Sequence, residues 1–171
     1  VADGAELMAY GPFNNGYLQQ EYSAALDYGT GDFYYMVWIN LSGHSPLQGI
    51  WSRQWQGQSS GNRIQFQTVG NGDGQLAIYA GVNASGLGND SKCGIGVWHH
   101  IAMVRRSGTM YWYKDGVQFS TYSDTTNYTN TTNGGAKLRL GGLNLVSSGQ
   151  EYTNNAYDMT QGKLALFRTG S

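Results

Sequence analysis

The residues best equipped for chemistry in this chain would form a stacking and hydrogen-bonding surface. Trp55 is preceded by Arg53 and Gln54 and followed by Gln56 and Asn62, while Tyr79 leads into Asn83, Asn89 and Asp90. An aromatic face covers the apolar patch of a pyranose ring, and amides, carboxylates and guanidinium groups satisfy its hydroxyls. Burying such a ring is worth a few kcal/mol at ~25 cal/mol per Å². Arg53, Trp55, Asn62, Tyr79, Asn83 and Asp90 are therefore the expected ligand contacts, on two loops that strand pairing would carry to one rim. The competing expectation is that Trp55 merely covers a sheet edge.

Other chemistries find less to work with. Glycoside hydrolysis needs two carboxyl groups about 5 to 10 Å apart, which a strand supplies when two acids sit two or four residues apart on one face. Glu6, Glu21 and Glu151 are isolated, and none belongs to a Glu-x-Asp-x-x-Glu pattern. The one Gly-x-Ser-x-Gly run, Gly57-Gln58-Ser59-Ser60-Gly61, falls in a stretch that reads as a polar loop and not as a strand-to-helix turn, so no nucleophile elbow is expected either. No catalytic residue is expected. Adjacent strand residues point to opposite faces, so His99 and His100 cannot both ligate one ion; His100 is expected to pack inward and His99 to face the other way. The single cysteine, Cys93, leaves no internal disulfide and reads as a small apolar residue.

Strands must position these groups. From Val97 to Val117 two alternating segments are joined at Ser107-Gly108 and closed at Asp115-Gly116, a meander of two hairpins. Trp98, His100, Ala102 and Val104 share one face of the first segment, and His99, Ile101, Met103 and Arg105 the other. Tyr111 and Tyr113 alternate with Met110, Trp112 and Lys114 in the second. Upstream, Phe33, Tyr35, Val37, Ile39 and Leu41 line one side of the clearest early strand. Further strands are expected over 17–26, 48–53, 63–69 and 75–80, the last two paired across Asn71-Gly72-Asp73-Gly74. Residues 81–96 and 123–135 read as long loops, and 1–16 as an N-terminal arm or edge strand. Trp38, Trp51, Trp98 and Trp112 fall in strands, where core packing is their default role.

The passage Trp98-His99-His100-Ile101-Ala102, with Arg105, Gly108, Tyr113, Asp115 and Gly116, resembles laminin-G-like members of the concanavalin-A-like superfamily. Gly31-Asp32-Phe33 leading to Trp38-Ile39 is similar to that family's early strand, and Lys137-Leu138-Arg139-Leu140-Gly141-Gly142 to its late one. The lead-in from Ala25 to Phe33 is similar to versions carried by bacteriophage tail and virion proteins. The final segment, Gly162 to Arg168, lacks the acidic pair common in relatives, so no role of those acids carries over. The resemblance implies an all-β, antiparallel two-sheet jelly-roll sandwich over one domain, 1–171. Some relatives bind calcium through loop carboxylates. Asp73 and Asp90 are the calcium candidates here, with Asp124 and Asp158 also in Asn- and Gly-containing loops, although no ligand register is present.

Composition agrees with this fold. A chain of 171 residues can bury a two-sheet core without disulfides, and 26 glycines with 2 prolines suit many short strands joined by tight turns. Only 12% of residues are charged and the net charge is -1, which excludes a basic footprint for nucleic acid. No apolar run reaches the length of a membrane span, so membrane insertion is not expected. Val1 in place of Met points to a fragment of a longer chain. The expected function is a non-catalytic recognition or adhesion module, extracellular or on a virion surface, binding glycan or surface protein without a cofactor, calcium aside. The alternative is a structural tail, fibre or capsid-appendage domain acting through virion subunit or homo-oligomer contacts. A glycoside hydrolase ranks third.

Overall fold

The computed structural model describes residues 9–14, 16–44, 47–54, 63–69, 73–80, 83–86, 89–129, 137–143, 146–147, 150–151, 159 and 161–171. Two six-stranded antiparallel sheets face each other. Sheet A contains β1 (Ala9–Phe13), β14 (Gly162–Gly170), β3 (Phe33–Leu41), β8 (Trp98–Arg106), β9 (Thr109–Lys114) and β10 (Val117–Ser123), in that spatial order. Sheet B runs β2 (Leu18–Gln20), β11 (Lys137–Leu140), β4 (Gly49–Gln54), β5 (Ile64–Thr68), β6 (Leu76–Ala80) and β7 (Asn83–Gly86). A two-residue ribbon, β12 (Val146–Ser147) with β13 (Gln150–Glu151), lies apart from both.

The sandwich follows from alternation. Every second residue of β3, from Phe33 to Leu41, is buried and the residues between are half-buried, the pattern of a strand facing a core on one side. Across the inter-sheet gap Trp51 of β4 stacks on Tyr35 of β3 at 4.3 Å, and Phe66 of β5 stacks on Trp112 of β9 at 5.7 Å. Offset aromatic pairs of this kind add roughly 0.5–1.5 kcal/mol each beyond the area they bury. The meander closes as expected: Ser107 and Gly108 (φ 48° and 72°) and Asp115 and Gly116 (φ 53° and 83°) take positive φ at both central positions. Such turns match the right-handed twist of the strands they join.

Three expectations need correction. The strand expected over 17–26 is only Leu18–Gln20; Ser23 then accepts the Ala25 N–H through its hydroxyl and starts a single 3-10 turn, Ala24–Leu26, that buries Leu26. The loop expected over 81–96 supplies β7, because the outer edge of β6 offers unpaired backbone groups that even a polar Asn-Ala-Ser-Gly segment can satisfy. The third concerns β8. Its inward residues are Ile101, Met103 and Arg105, all at 2% exposure or less, so His99 lies on the core side and His100 on the outer one. Of the two readings of 1–16, an arm or an edge strand, the described part is an edge strand, β1, paired with β14. Of the expected turn, Asn71 and Gly72 lie outside the described residues.

β14 carries a bulge between Ala165 and Arg168, with Leu166 at φ 49°. The bulge turns Phe167 inward against Tyr35 and Trp51 and returns Arg168 to the outer face opposite Met36.

Candidate functional site

The expected rim does not assemble as read. Arg53 is fully buried: its Nη2 meets Asp27 Oδ1 at 2.6 Å and also donates to the Tyr128 carbonyl at 2.8 Å. A guanidinium sealed between the sheets cannot reach a ligand at the surface, so Arg53 is a structural cation and not a contact. Trp55 and Asn62 lie outside the described residues. Asn83 contributes its backbone to β7, opposite Ala80. Tyr79 alternates with the inward Leu76, Ile78 and Ala80 and therefore faces out from sheet B, where the Arg63 guanidinium sits 4.7 Å from its ring centre. Asp90 is exposed and lines a cleft of ≈ 500 Å³ with Lys92, Lys114 and Phe119. Among the described residues no hydrogen bond or ion pair joins Tyr79 to Asp90.

Of the calcium candidates, Asp158 lies outside the described residues, and Asp73 and Asp124 are engaged elsewhere. Asp73 pairs with Lys92 at 2.8 Å and accepts the Gln75 N–H at 3.0 Å, an Asx turn that shapes the start of β6. Asp124 is 1% exposed and makes a 3.0 Å charge contact with Arg105, so it belongs to the interior. Among the described residues no three His, Cys, Asp or Glu side chains converge in a way that would hold a metal ion.

What the fold does assemble is an aromatic surface on the outside of sheet A. Strand pairing sets Asn40 beside Trp98, Trp38 beside His100, Met36 beside Ala102 and Tyr113, and Tyr34 beside Val104 and Tyr111. β14 adds Lys163 next to Asn40 and Arg168 next to Met36, and β10 adds Gln118 next to Tyr113. The rings of Trp38 and His100 are 5.3 Å apart, and the Arg106 guanidinium covers Tyr111 at 5.3 Å. Trp38, Trp98, Tyr34, Tyr111 and Tyr113 are each half-buried, so each remains partly open to solvent. Five strands about 4.8 Å apart make a surface roughly 19 Å across. At one margin Tyr34 and Arg168 also line a cleft of ≈ 440 Å³ with Leu18, Leu140 and Phe167.

A family model described as the Concanavalin A-like lectin/glucanases superfamily, of the laminin G type, matches residues 14–161. The chain belongs to that superfamily. Among solved structures it is similar to a native heptameric SAP-like pentraxin from Limulus polyphemus, with a TM-score of 0.64 at 14% identity over 95% of this chain and 73% of the other. Domain 4 of AbnA, a GH43 extracellular arabinanase from Geobacillus stearothermophilus solved with arabinotriose, gives 0.62 at 14% identity over 98% and 76%. Domains LG4-5 of the mouse laminin alpha1 chain give 0.52 at 15% identity over 99% and 46%. No curated protein sequence matches the chain. At these identities the likeness establishes the jelly-roll fold.

Within this concanavalin A-like sandwich Trp38 and Trp98 are not core residues, contrary to the default role of a strand tryptophan: both are half-buried on the outer face of sheet A. The signal that marks them is the strict inward run from Phe33 to Leu41, which leaves Trp38 no inward position. The arrangement suits noncovalent binding. Of the glutamates, Glu21 is exposed, and its pKa is lowered by the hydrogen bond from the Gln19 amide and by Lys137.

Proposed function

We propose that this lectin-like sandwich is a recognition module that binds glycan chains through the outer face of sheet A. One observation carries the reading: Trp38, Trp98, Tyr34, Tyr111 and Tyr113 are held half-exposed on one surface, interleaved with Asn40, His100, Gln118 and cationic side chains. Rings supply stacking faces and the polar neighbours hydrogen bonds, and both are fixed in place by the ladder before a ligand arrives. A shallow surface of this kind binds weakly as a single site, so display in several copies on an extracellular or virion surface would raise its avidity by orders of magnitude. The virion setting is supported by the resemblance of the Ala25 to Phe33 lead-in.

A glycan array probed with the chain and with Trp38→Ala, Trp98→Ala and Tyr113→Ala tests the proposal, each variant first checked for an unchanged denaturation midpoint. Saturable binding lost in at least two of the three supports it. Binding that survives all three and disappears with Trp55→Ala moves the site off this face to the neighbourhood of Trp55. A flat array with concentration-dependent association of the chain assigns the surface to subunit contacts instead, for which tyrosine and tryptophan are equally suited.

A further inference from the structure

Resting on the proposed glycan surface, we infer that its ligand is an acidic polysaccharide, with charge carried by carboxylate or sulfate groups. Three exposed cations rim the aromatic rows: Lys163 and Arg168 on β14 and Arg106 at the end of β8. Among the described residues none of the three forms an ion pair, and Arg106 rests on the ring of Tyr111. The outward positions of β14, β3, β8 and β9 carry no carboxylate. Among the described residues, the acids at the ends of these strands are engaged, Asp115 by His99 and the His100 N–H, and Asp32 by the Ser107 N–H. The whole chain has 10 basic and 11 acidic residues, so this face reverses the overall sign and does not simply express it.

Charge then selects the occupant. A second copy laid face to face would set cations against cations, which is unfavourable. A nucleic acid strand presents phosphates far more densely than three cations can answer. The cations are also widely spaced. Lys163 and Arg168 pair with Asn40 and Met36, four residues apart on β3, which is ~13 Å at strand rise. Arg106 lies four residues beyond Ala102 and two strands away from β14, ~16 Å from Arg168. Such spacing suits a polymer with acidic groups distributed along it, whose neutral sugar faces lie over the Trp and Tyr rings between them.

The test measures affinity of the chain for polygalacturonate, dextran sulfate, unmodified dextran and single-stranded poly-dT over a range of salt concentrations. One of the two acidic polysaccharides is expected to bind at least tenfold tighter than dextran, with affinity falling as salt rises; which one does so identifies the charged group. Lys163→Gln combined with Arg168→Gln should collapse the acidic-to-neutral ratio towards one, and Trp38→Ala should weaken acidic binding too. Equal binding of dextran and the acidic polymers overturns this inference and leaves the glycan surface standing. Binding of none of the polysaccharides removes both. Acidic binding indifferent to Trp38→Ala reduces it to nonspecific charge attraction, and a preference for poly-dT replaces it with nucleic acid recognition.

Discussion

His99 Nδ1 lies 2.7 Å from Asp115 Oδ2, joining the start of β8 to the turn that follows β9. The other ring nitrogen of His99 accepts the Gly94 N–H at 3.2 Å, which leaves Nδ1 to donate to Asp115. Asp115 also accepts the His100 N–H at 2.8 Å, and its positive φ makes the tight turn. One aspartate thus shapes a hairpin and holds the strand beside it.

This contact makes stability depend on pH in a definite direction. Burial opposes ionisation of Asp115, but the hydrogen bonds from His99 and His100 and the charges of His99 and Lys114 outweigh it and hold its pKa below the ordinary value. A carboxylate with a depressed folded pKa stabilises the fold above its unfolded pKa and loses that contribution as pH falls through the folded one. Asp115→Asn, which tolerates the turn, should cost about 1 kcal/mol or less at neutral pH, since the group is 44% exposed. The difference from wild type should shrink below about pH 4. Urea titrations at several pH values check this; a difference that grows on acidification would contradict it.

Arg53 should matter to folding. Its ion pair with Asp27 is fully buried on the arginine side and 13% exposed on the aspartate side, and Arg53→Ala leaves Asp27 without that cation and opens a cavity at a fully buried position. A loss of about 3–5 kcal/mol is expected from breaking a buried pair on one side. Chemical denaturation measures it, and a loss below about 1 kcal/mol would show that the guanidinium is not held as described.

Leu166 sits at φ 49° in the β14 bulge with its side chain 48% exposed. The left-handed region costs an L-residue roughly 1–2 kcal/mol, against about 0.5–1 kcal/mol for the extra freedom glycine brings to the unfolded chain. Leu166→Gly is therefore expected to stabilise the protein by about 0.5–1 kcal/mol, read as a higher denaturation midpoint. A drop of more than about 1 kcal/mol would mean that the exposed side chain packs more than its accessibility implies.

Cys93 is 2% exposed, and burial pushes its thiol up to about 12; Lys114 pulls it down and Asp115 pushes it further up. At neutral pH almost no thiolate forms, so the native protein should resist a thiol reagent such as DTNB over a time in which the denatured chain reacts completely. Rapid labelling of folded protein would overturn the assignment of this residue to the interior.

Much of this protein was legible in its amino acids alone. The period-2 runs, the Ser107-Gly108 and Asp115-Gly116 turns and the family motifs determined an antiparallel jelly roll, because side-chain alternation and positive φ are local properties of a strand and a turn. Only the tertiary structure decided which side of each strand looks inward. In β8 both sides are partly apolar, so alternation separates His99, Ile101 and Met103 from Trp98, His100 and Ala102 without ranking them; packing against Trp51, Phe66 and their neighbours makes the choice. The fate of Arg53 was equally invisible in its own neighbourhood, since the partners that draw it inside, Asp27 and the Tyr128 carbonyl, lie 26 and 75 residues away. Local patterns encode the ladder, whereas burial of a charge depends on partners that only the folded chain brings within reach.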